Sequence, residues 1–347
     1  MFFAGGYSQG QAVFHILAHN GVIHRSPRVV QCCVTGCGCC GELRWPCYTG
    51  PSCSFIRIFV TIPQNLAPCI DLHCHTSASD GQLAPAQLVD RAMEKGVTHL
   101  AITDHDTISG LSEARDVAEQ LGLTLIPGTE LSCQWKSHTI HVVGLDFDVD
   151  DPAFGQSLVE QNDNRWRRAR MIHDRLSGLG VGDLLERATA KAGGNVPGRP
   201  HFASALRDAG KVKDHEQAFK RHLGAGKRGD VKACWPELDT VVQWILEAGG
   251  IAVLAHPRKY RMTATKLRSL ITDFRRAGGR ALEVSTSGQS SGDLGFLSEL
   301  CRRERMLASQ GSDFHFPGAS WCELGRIAKM PEGLDPVWHH FREPVVP

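Results

Sequence analysis

From Pro68 onward the chain alternates short apolar runs with amphipathic stretches, and this rhythm narrows the possible folds more than any other feature. "CIDLHCH" (69–75), "THLAITDHD" (98–106), "LTLIPGTELS" (123–132), "TIHVVGLDF" (139–147), "IAVLAHP" (251–257), "ALEVSTS" (281–287) and "LASQGSDFH" (307–315) read as strands. Helices fall among them at 84–96, 109–122, 236–250, 265–279 and 293–306; the first has Pro85 in its opening turn and Gly96 at its end. Strand–helix alternation implies a parallel sheet with helices outside, most simply a closed or nearly closed barrel. No internal repeat is present.

The rhythm breaks over residues 152–235, which contain no clear strand and are helical in composition. This segment holds 16 Lys/Arg and 9 Asp/Glu, a net of +7 in a chain whose total is +1. We read it as a basic helical cap standing over one end of an acidic barrel built from residues 67–151 and 236–347. Cations would collect on the barrel and anions at the cap.

Histidines and carboxylates recur where strands end. His73 and His75 close the first strand, with Asp80 in the loop that follows. Side chains alternate along a strand, so His73 and His75 share one face while Cys74 takes the other. Asp104, His105 and Asp106 close the second strand, Glu130 ends the third in "IPGTE", His141 lies in the fourth and His256 ends the fifth. Asp313 and His315 end the last. The carboxyl ends of parallel barrel strands share one face, where active sites form. A lone buried histidine is an ordinary core residue. Six with several carboxylates at equivalent positions would repel one another or stay unsatisfied without cations.

"DLHCHTSASDG", "ITDHD", "PGTELS", "IHVVG", "AHP" and "GSDFH" occur in this order over residues 68–342 and resemble the PHP (polymerase and histidinol phosphatase) family of metal-dependent phosphoesterases. Within it the chain is most similar to the 3′,5′-nucleoside bisphosphate phosphatases, some of which are also 5′→3′ exoribonucleases; "GRPHFA" and "ASQGSDFH" point to that subgroup. The resemblance implies an α/β fold, a distorted (β/α)7 TIM-like barrel, holding two or three divalent ions. It implies that His73, His75, Glu130 and Asp313 hold one ion. Glu130 would bridge to a second held by His141 and His256, and Asp80, His105 and His315 would hold a third. Mixed imidazole and carboxylate shells suit Mn²⁺, which we put first, as well as Fe²⁺ or Zn²⁺.

Arg199 and His201 of "GRPHFA", and Arg258 and Lys259 of "AHPRKY", are candidates for binding substrate phosphate, because Arg offers paired donors to phosphate oxygens. His201 is also a candidate general acid beside the catalytic Glu130. The run Arg165, Arg167, Arg168 and Arg170 reads as a solvated helix face, with Arg165 or Arg168 able to face the cleft. Asp104 and Asp106 could orient ligands or cap the next helix. The expected substrate is a small nucleotide or an RNA 5′ end. The alternatives are a histidinol-phosphatase-like phosphomonoesterase and a non-catalytic, metal-stabilised module.

Residues 1–66 fall outside both the rhythm and the resemblance. Seven cysteines crowd into 32–53 with CC and CxC spacings that fit a regular zinc site poorly, so this stretch is read as a poorly ordered Cys-rich extension. No apolar run approaches the roughly 20 residues a membrane helix needs. No obligate protein partner is evident, and the expected compartment is the cytoplasm.

Overall fold

In the computed structural model, residues 68–345 except 233 are described, together with four short strands nearer the N-terminus: Gly5–Ser8 paired antiparallel with Gln11–Phe14, and Cys32–Cys33 with Phe55–Ile56. The chain divides into two units, Met1–Leu66 and Ala67–Pro347. Apart from those strands, the cysteine-rich extension expected over 1–66 lies outside the described residues.

The second unit is built on seven strands whose order in the sheet follows their order in the chain. They are β1 (Ile70–Asp71), β2 (His99–Ile102), β3 (Thr124–Trp135), β4 (His138–Leu145), β5 (Ile251–Leu254), β6 (Ala281–Thr286) and β7 (Leu307–Gly311). The sheet closes where the chain beyond β1 meets the chain beyond β7. There His75 N–H donates to Phe314 O (2.8 Å) and Asp313 N–H to His73 O (2.7 Å). Regular pairing in β1 stops at Asp71, short of the expected strand, yet Cys74 still bridges Phe314.

The sheet is not all-parallel, which corrects the reading from alternation. β4 runs antiparallel to both β3 and β5. The reason is local: only Lys136 and Ser137 separate β3 from β4, whereas a parallel return needs a crossover of a dozen or more residues. The reversal turns the amino-terminal half of β4, with His141, toward the end of the barrel where the other strands finish.

Alternation along the strands sorts the core. Ile70, Leu72, Ala101, Ile126, Val143, Val253, Ala281 and Leu307 fill the interior, together with Val337, Trp338, Phe341 and Val345 of the C-terminal tail. Leu131, Cys133, Leu254, Leu282 and Val284 face outward onto the helices α7 (Leu238–Glu247) and α8 (Ala264–Arg276). A further cluster under α1 (Pro85–Glu94) and α2 (Leu111–Leu121) takes Cys74, whose Sγ lies 3.2 Å from Ala101 O; the cysteine between the two histidines is barrel wall.

The segment between β4 and α7 forms α3 (Pro152–Leu176), α4 (Leu184–Lys191), α5 (Arg199–Asp208) and α6 (His215–Ala218). α3 begins sharply because Asp151 accepts the Phe154 amide (2.7 Å) and Pro152 needs no hydrogen-bond partner in the first turn. These helices enclose a core of their own, including Ile172, Leu184, Phe202, Leu206 and Leu223. None of the helices among the described residues is long and apolar enough to cross a membrane.

Closure sets one residue type. A Cβ at Gly311 would lie 2.2 Å from His73 Cβ and 2.7 Å from its backbone N, so only glycine lets β7 approach β1. Gly311→Ala should cost about 3 kcal/mol, lowering Tm by roughly 6–12 °C in a thermal melt. An unchanged Tm would mean that the two edges do not meet.

Candidate metal centre

Nine side chains converge at the barrel mouth, and the local backbone explains how. In β3, Glu130 has the same parity as the interior residue Ile126, while Leu131 and Cys133 pack outward. His141 stands opposite Ser132 in the β3–β4 ladder and so shares the face of Glu130. In β5, Ile251, Val253 and Ala255 point inward, so strict alternation would turn His256 out. A φ of 26° at His256 breaks the alternation and returns the ring to the interior. Asp106 and Asp313 also have positive φ, 56° and 53°. Such conformations cost roughly 1–3 kcal/mol each and persist where surrounding structure enforces them.

Glu130 sits at the middle. Its Oε2 is 3.5 Å from His73 Nε2 and 3.4 Å from His75 Nε2, and these two nitrogens lie 3.6 and 3.4 Å from Asp313 Oδ1. Its Oε1 is 3.0 Å from His141 Nδ1 and 2.8 Å from His256 Nε2. Beside them Asp80 Oδ1 is 3.7 Å from His105 Nε2 and 3.5 Å from His315 Nε2. The groups overlap more than the resemblance implied. His75 also falls within the Asp80–His105–His315 set, and His105 lies with Glu130 and His141.

These atoms fit divalent cations. Bonds of about 2.0–2.2 Å to a shared ion leave neighbouring donors roughly 3.0–3.5 Å apart, close to the spacings found. Eight buried side-chain nitrogen or oxygen atoms among the described residues have no hydrogen-bond partner, and seven belong here: His73 Nε2, both ring nitrogens of His75, Asp80 Oδ1, His105 Nδ1, Glu130 Oε2 and His256 Nδ1. His105 Nδ1 and Glu130 Oε2 are 3.0 Å apart yet lack hydrogen-bond geometry. Left bare, such atoms each cost about 1–3 kcal/mol.

Charge follows the same logic. Burial would raise Glu130, but His141, His73 and His105 outweigh it and hold the carboxyl well below the ordinary range. Burial opposes protonation of His73, yet Glu283 and Glu130 push the ring up to about 10. Burial takes His141 and His315 down to about 4 and lowers His75 and His256 as well. The rings therefore divide: burial keeps His75, His141, His256 and His315 neutral, while nearby carboxylates raise His73 and, through Asp80 and Glu130, His105.

Four buried carboxylates support these donors without joining them. Asp71 accepts the amides of Ser312 (2.8 Å) and Gly325 (2.9 Å), pinning the loop that carries Asp313. Asp104 accepts Thr76 N (2.7 Å), Thr76 Oγ1 (2.6 Å) and Ser79 Oγ (2.6 Å), fixing the loop to Asp80. Asp106 accepts Ser132 N and Oγ, Gln161 Nε2 and Arg165 Nη1, tying cap helix α3 to β3. Neither Asp104 nor Asp106 caps α2, whose N-cap is Gly110. The fourth carboxylate, Glu283, escaped the sequence reading. It takes His73 Nδ1 (3.0 Å) and the His256 amide (2.5 Å), which orients two donors at once. Its signal was a lone charge at an inward position of "ALEVSTS".

The basic candidates divide. His201 accepts the Gly198 amide at Nδ1 (3.0 Å), so its neutral ring carries the proton on Nε2; burial lowers its pKa. Arg199 lies over the Phe219 ring and donates to Leu223 O (3.4 Å). Lys259 is paired with Asp313 and so touches the centre. Arg258 does not: it pairs with Asp293 (2.6 Å) and lies over Phe296. That spends its guanidinium on the start of α9 (Ser291–Arg303). In α3, Arg167 and Arg170 are exposed as a solvated face would be, but Arg165 and Arg168 are half-buried, the first on Asp106 and the second on Val231 O.

A closed barrel whose mouth gathers histidine and carboxylate donors defines a metal-dependent hydrolase. Residues 71–179 match the PHP domain family. A 5′-3′ exoribonuclease of Haemophilus influenzae is 43% identical over 271 residues, 78% of this chain and 98% of that protein. A 3′,5′-nucleoside bisphosphate phosphatase of Chromobacterium violaceum is 38% identical over 273 residues, 78% of this chain and 96% of that protein. The solved structure of a C. violaceum amidohydrolase, with bound sulfate and no metal, covers 78% of this chain and 95% of its own at a TM-score of 0.73 and 38% identity. The chain belongs to the PHP family of metal-dependent phosphoesterases.

Glu283→Gln should lower metal affinity about tenfold to a hundredfold, because the orienting partner of His73 Nδ1 loses its charge. Titration with a metal-sensitive dye, alongside a circular dichroism spectrum matching wild type, checks this.

Proposed function

We propose that the protein hydrolyses the 3′-phosphate of nucleoside 3′,5′-bisphosphates and, by the same chemistry, the first phosphodiester of an RNA 5′ end. The observation that carries the metal-dependent part is the set of seven unpartnered donors in one buried cluster. The substrate rests on the named relatives, an exoribonuclease and a bisphosphate phosphatase, and on the +7 cap facing the acidic barrel.

In this reading two or three divalent ions, Mn²⁺ foremost, are held by His73, His75, Glu130 and Asp313, by Glu130 with His141 and His256, and by Asp80, His105 and His315. When bound, such ions supply a nucleophile from water at neutral pH and neutralise charge on phosphoryl oxygens. Glu130 presents an oxygen to each of two donor groups and keeps them at fixed separation. Lys259 brings a cation to the rim beside Asp313, where a phosphate oxygen would arrive. His201 is neutral near pH 7, so its Nε2–H serves better as a hydrogen-bond donor to phosphate than as a general acid. The engagement of Arg258 with Asp293 removes it from this assignment.

Glu130→Gln keeps the shape but halves the acceptor role and removes the charge shared between the donor groups. The variant should stay folded, lose bound metal and lose at least a hundredfold in kcat/KM. Wild-type metal content by elemental analysis with a wild-type rate would exclude Glu130 as the bridge.

With Mn²⁺, kcat/KM for a nucleoside 3′,5′-bisphosphate should exceed that for a 3′- or 5′-monophosphate by about tenfold to a hundredfold, the value of one charge-assisted contact. Phosphate release from these nucleotides and from histidinol phosphate, and release of nucleoside 5′-monophosphate from short 5′-phosphorylated RNAs, decide it. Equal rates on bisphosphate and monophosphate would reject the two-phosphate reading, and a preference for histidinol phosphate would replace it.

A further inference from the structure

Four large hydrophobic side chains are exposed among the described residues, and the two aromatic ones stand together: Phe316 (41% exposed) directly follows His315, and Trp321 (59%) comes five residues later. Neither the donor cluster nor the cap uses them. Single exposed hydrophobic residues are ordinary on any surface. Two aromatic rings in the loop that also carries Asp313 and His315 call for a physical reason.

The loop is built to hold Trp321 outward. Phe314, Cys322 and Leu324, before and after it, are buried in the cluster under α1 and α2. The Cys322 thiol lies 3.3 Å from Ser312 O and 3.8 Å from Asp313 O, which folds the segment back against the donors. The Ser285 and Ser287 hydroxyls donate to Ala328 O and Arg326 O (both 2.8 Å), fastening the segment to the end of β6 and the turn after it. In that turn a Cβ at Gly288 would lie 3.2 Å from Trp321 O and 3.7 Å from its ring atom Cε3. The indole therefore lies over the β6–α9 turn, on the rim of the mouth.

The surrounding charge suits a polyanion. Arg326 is exposed, donates to Ser320 O (2.8 Å) and has no carboxylate within ion-pair distance among the described residues. Its cation thus stands one residue from Trp321, and Lys259 stands nearer the centre on Asp313. The cap is tied to a different part of the rim. Asn195 Nδ2 donates to Ser77 O (3.2 Å), Gln161 Nε2 to Ser132 O (2.7 Å), and Arg165 pairs with Asp106. Among the described residues no hydrogen bond or ion pair joins residues 152–235 to the loops after β5, β6 and β7. Successive bases of a single strand stack on aromatic side chains while cations follow its phosphates, whatever the sequence.

We propose that Trp321 and Phe316 form a stacking platform for the bases of single-stranded RNA beyond the bond being cleaved, with Arg326 beside it for the backbone. The platform rests on the RNA half of the proposed function for its ligand. It supplies what that reading lacks, a surface that tells an RNA end from a mononucleotide. A nucleoside 3′,5′-bisphosphate has no base beyond the cleaved bond and so gains nothing there.

Paired substrates read this in the full-length protein with Mn²⁺. Trp321→Ala should lower kcat/KM for a 5′-phosphorylated pentaribonucleotide by about fivefold or more, mainly through KM, and leave that for a nucleoside 3′,5′-bisphosphate unchanged. Trp321→Phe should restore most of the loss and Phe316→Ala should show a smaller one, with metal content and circular dichroism as in wild type. A pentamer abasic beyond its first nucleotide should lose the same factor in wild type, and Trp321→Ala should add nothing to that loss. Fluorescence anisotropy of a labelled pentamer whose first linkage is an uncleavable methylphosphonate should show the same dependence on Trp321 in binding. An equal loss on the bisphosphate, RNA rates unaltered in both Ala variants, or an abasic pentamer handled like the intact one would overturn the platform and leave the proposed function standing. A dimer in light scattering that Trp321→Ala dissolves, with RNA rates unchanged, would make the rim a self-association face instead. If RNA is not cleaved but the methylphosphonate pentamer still binds through Trp321, the RNA reading fails and the platform stands.

Discussion

The Glu130 carboxylate is the interaction on which the rest of the mouth depends. It is buried at the end of the barrel interior and lies within 3.5 Å of ring nitrogens from five histidines, carried on β4, on the end of β5, and on the segments after β1 and β2. An apolar residue at that position would remove the carboxylate that all five rings face and leave His141 and His256 with no acidic partner. One charge therefore gives a common centre to segments that sheet hydrogen bonds and the carboxylates Asp71, Asp104 and Glu283 join in pairs.

Much of this was legible along the chain. Strand ends announced themselves through histidines and aspartates following apolar runs, and the family resemblance extended over the same stretch. The cap showed itself as a gap in the rhythm with its own charge. What stayed hidden depended on geometry that a one-dimensional pattern does not carry. The antiparallel course of β4 turns on a two-residue link that looks like any turn. Glu283 looks like a strand residue until His73 and His256 are seen on either side of it. Arg258 and Arg199 have the same chemistry in sequence, and only their neighbours, Asp293 in one case and other arginines in the other, tell them apart.

The supporting carboxylates share a division of labour. Asp71 and Asp104 each accept several backbone or hydroxyl donors from one loop, and Asp106 accepts from β3 and α3, so each segment is set before any cation arrives. Backbone conformations that would otherwise relax, at His256 and Asp313 above all, are held by these contacts and by the closure of the sheet. The strain is local and the restraint is distributed.

The closure between the ends of β1 and β7 has a consequence for the order of events in biosynthesis. His73 and its partner Asp313 are separated by most of the unit, and the tail residues Trp338 and Phe341 that fill the opposite end of the interior come later still. A ribosome delivers the histidine pair long before anything can cover it. The barrel is thus a structure of high contact order, in which the ring closes only once the last strand has emerged. Until then the early strands expose an unpaired edge and a loose cluster of imidazoles. Assembly of the complete centre is therefore a late event, available only to a finished chain.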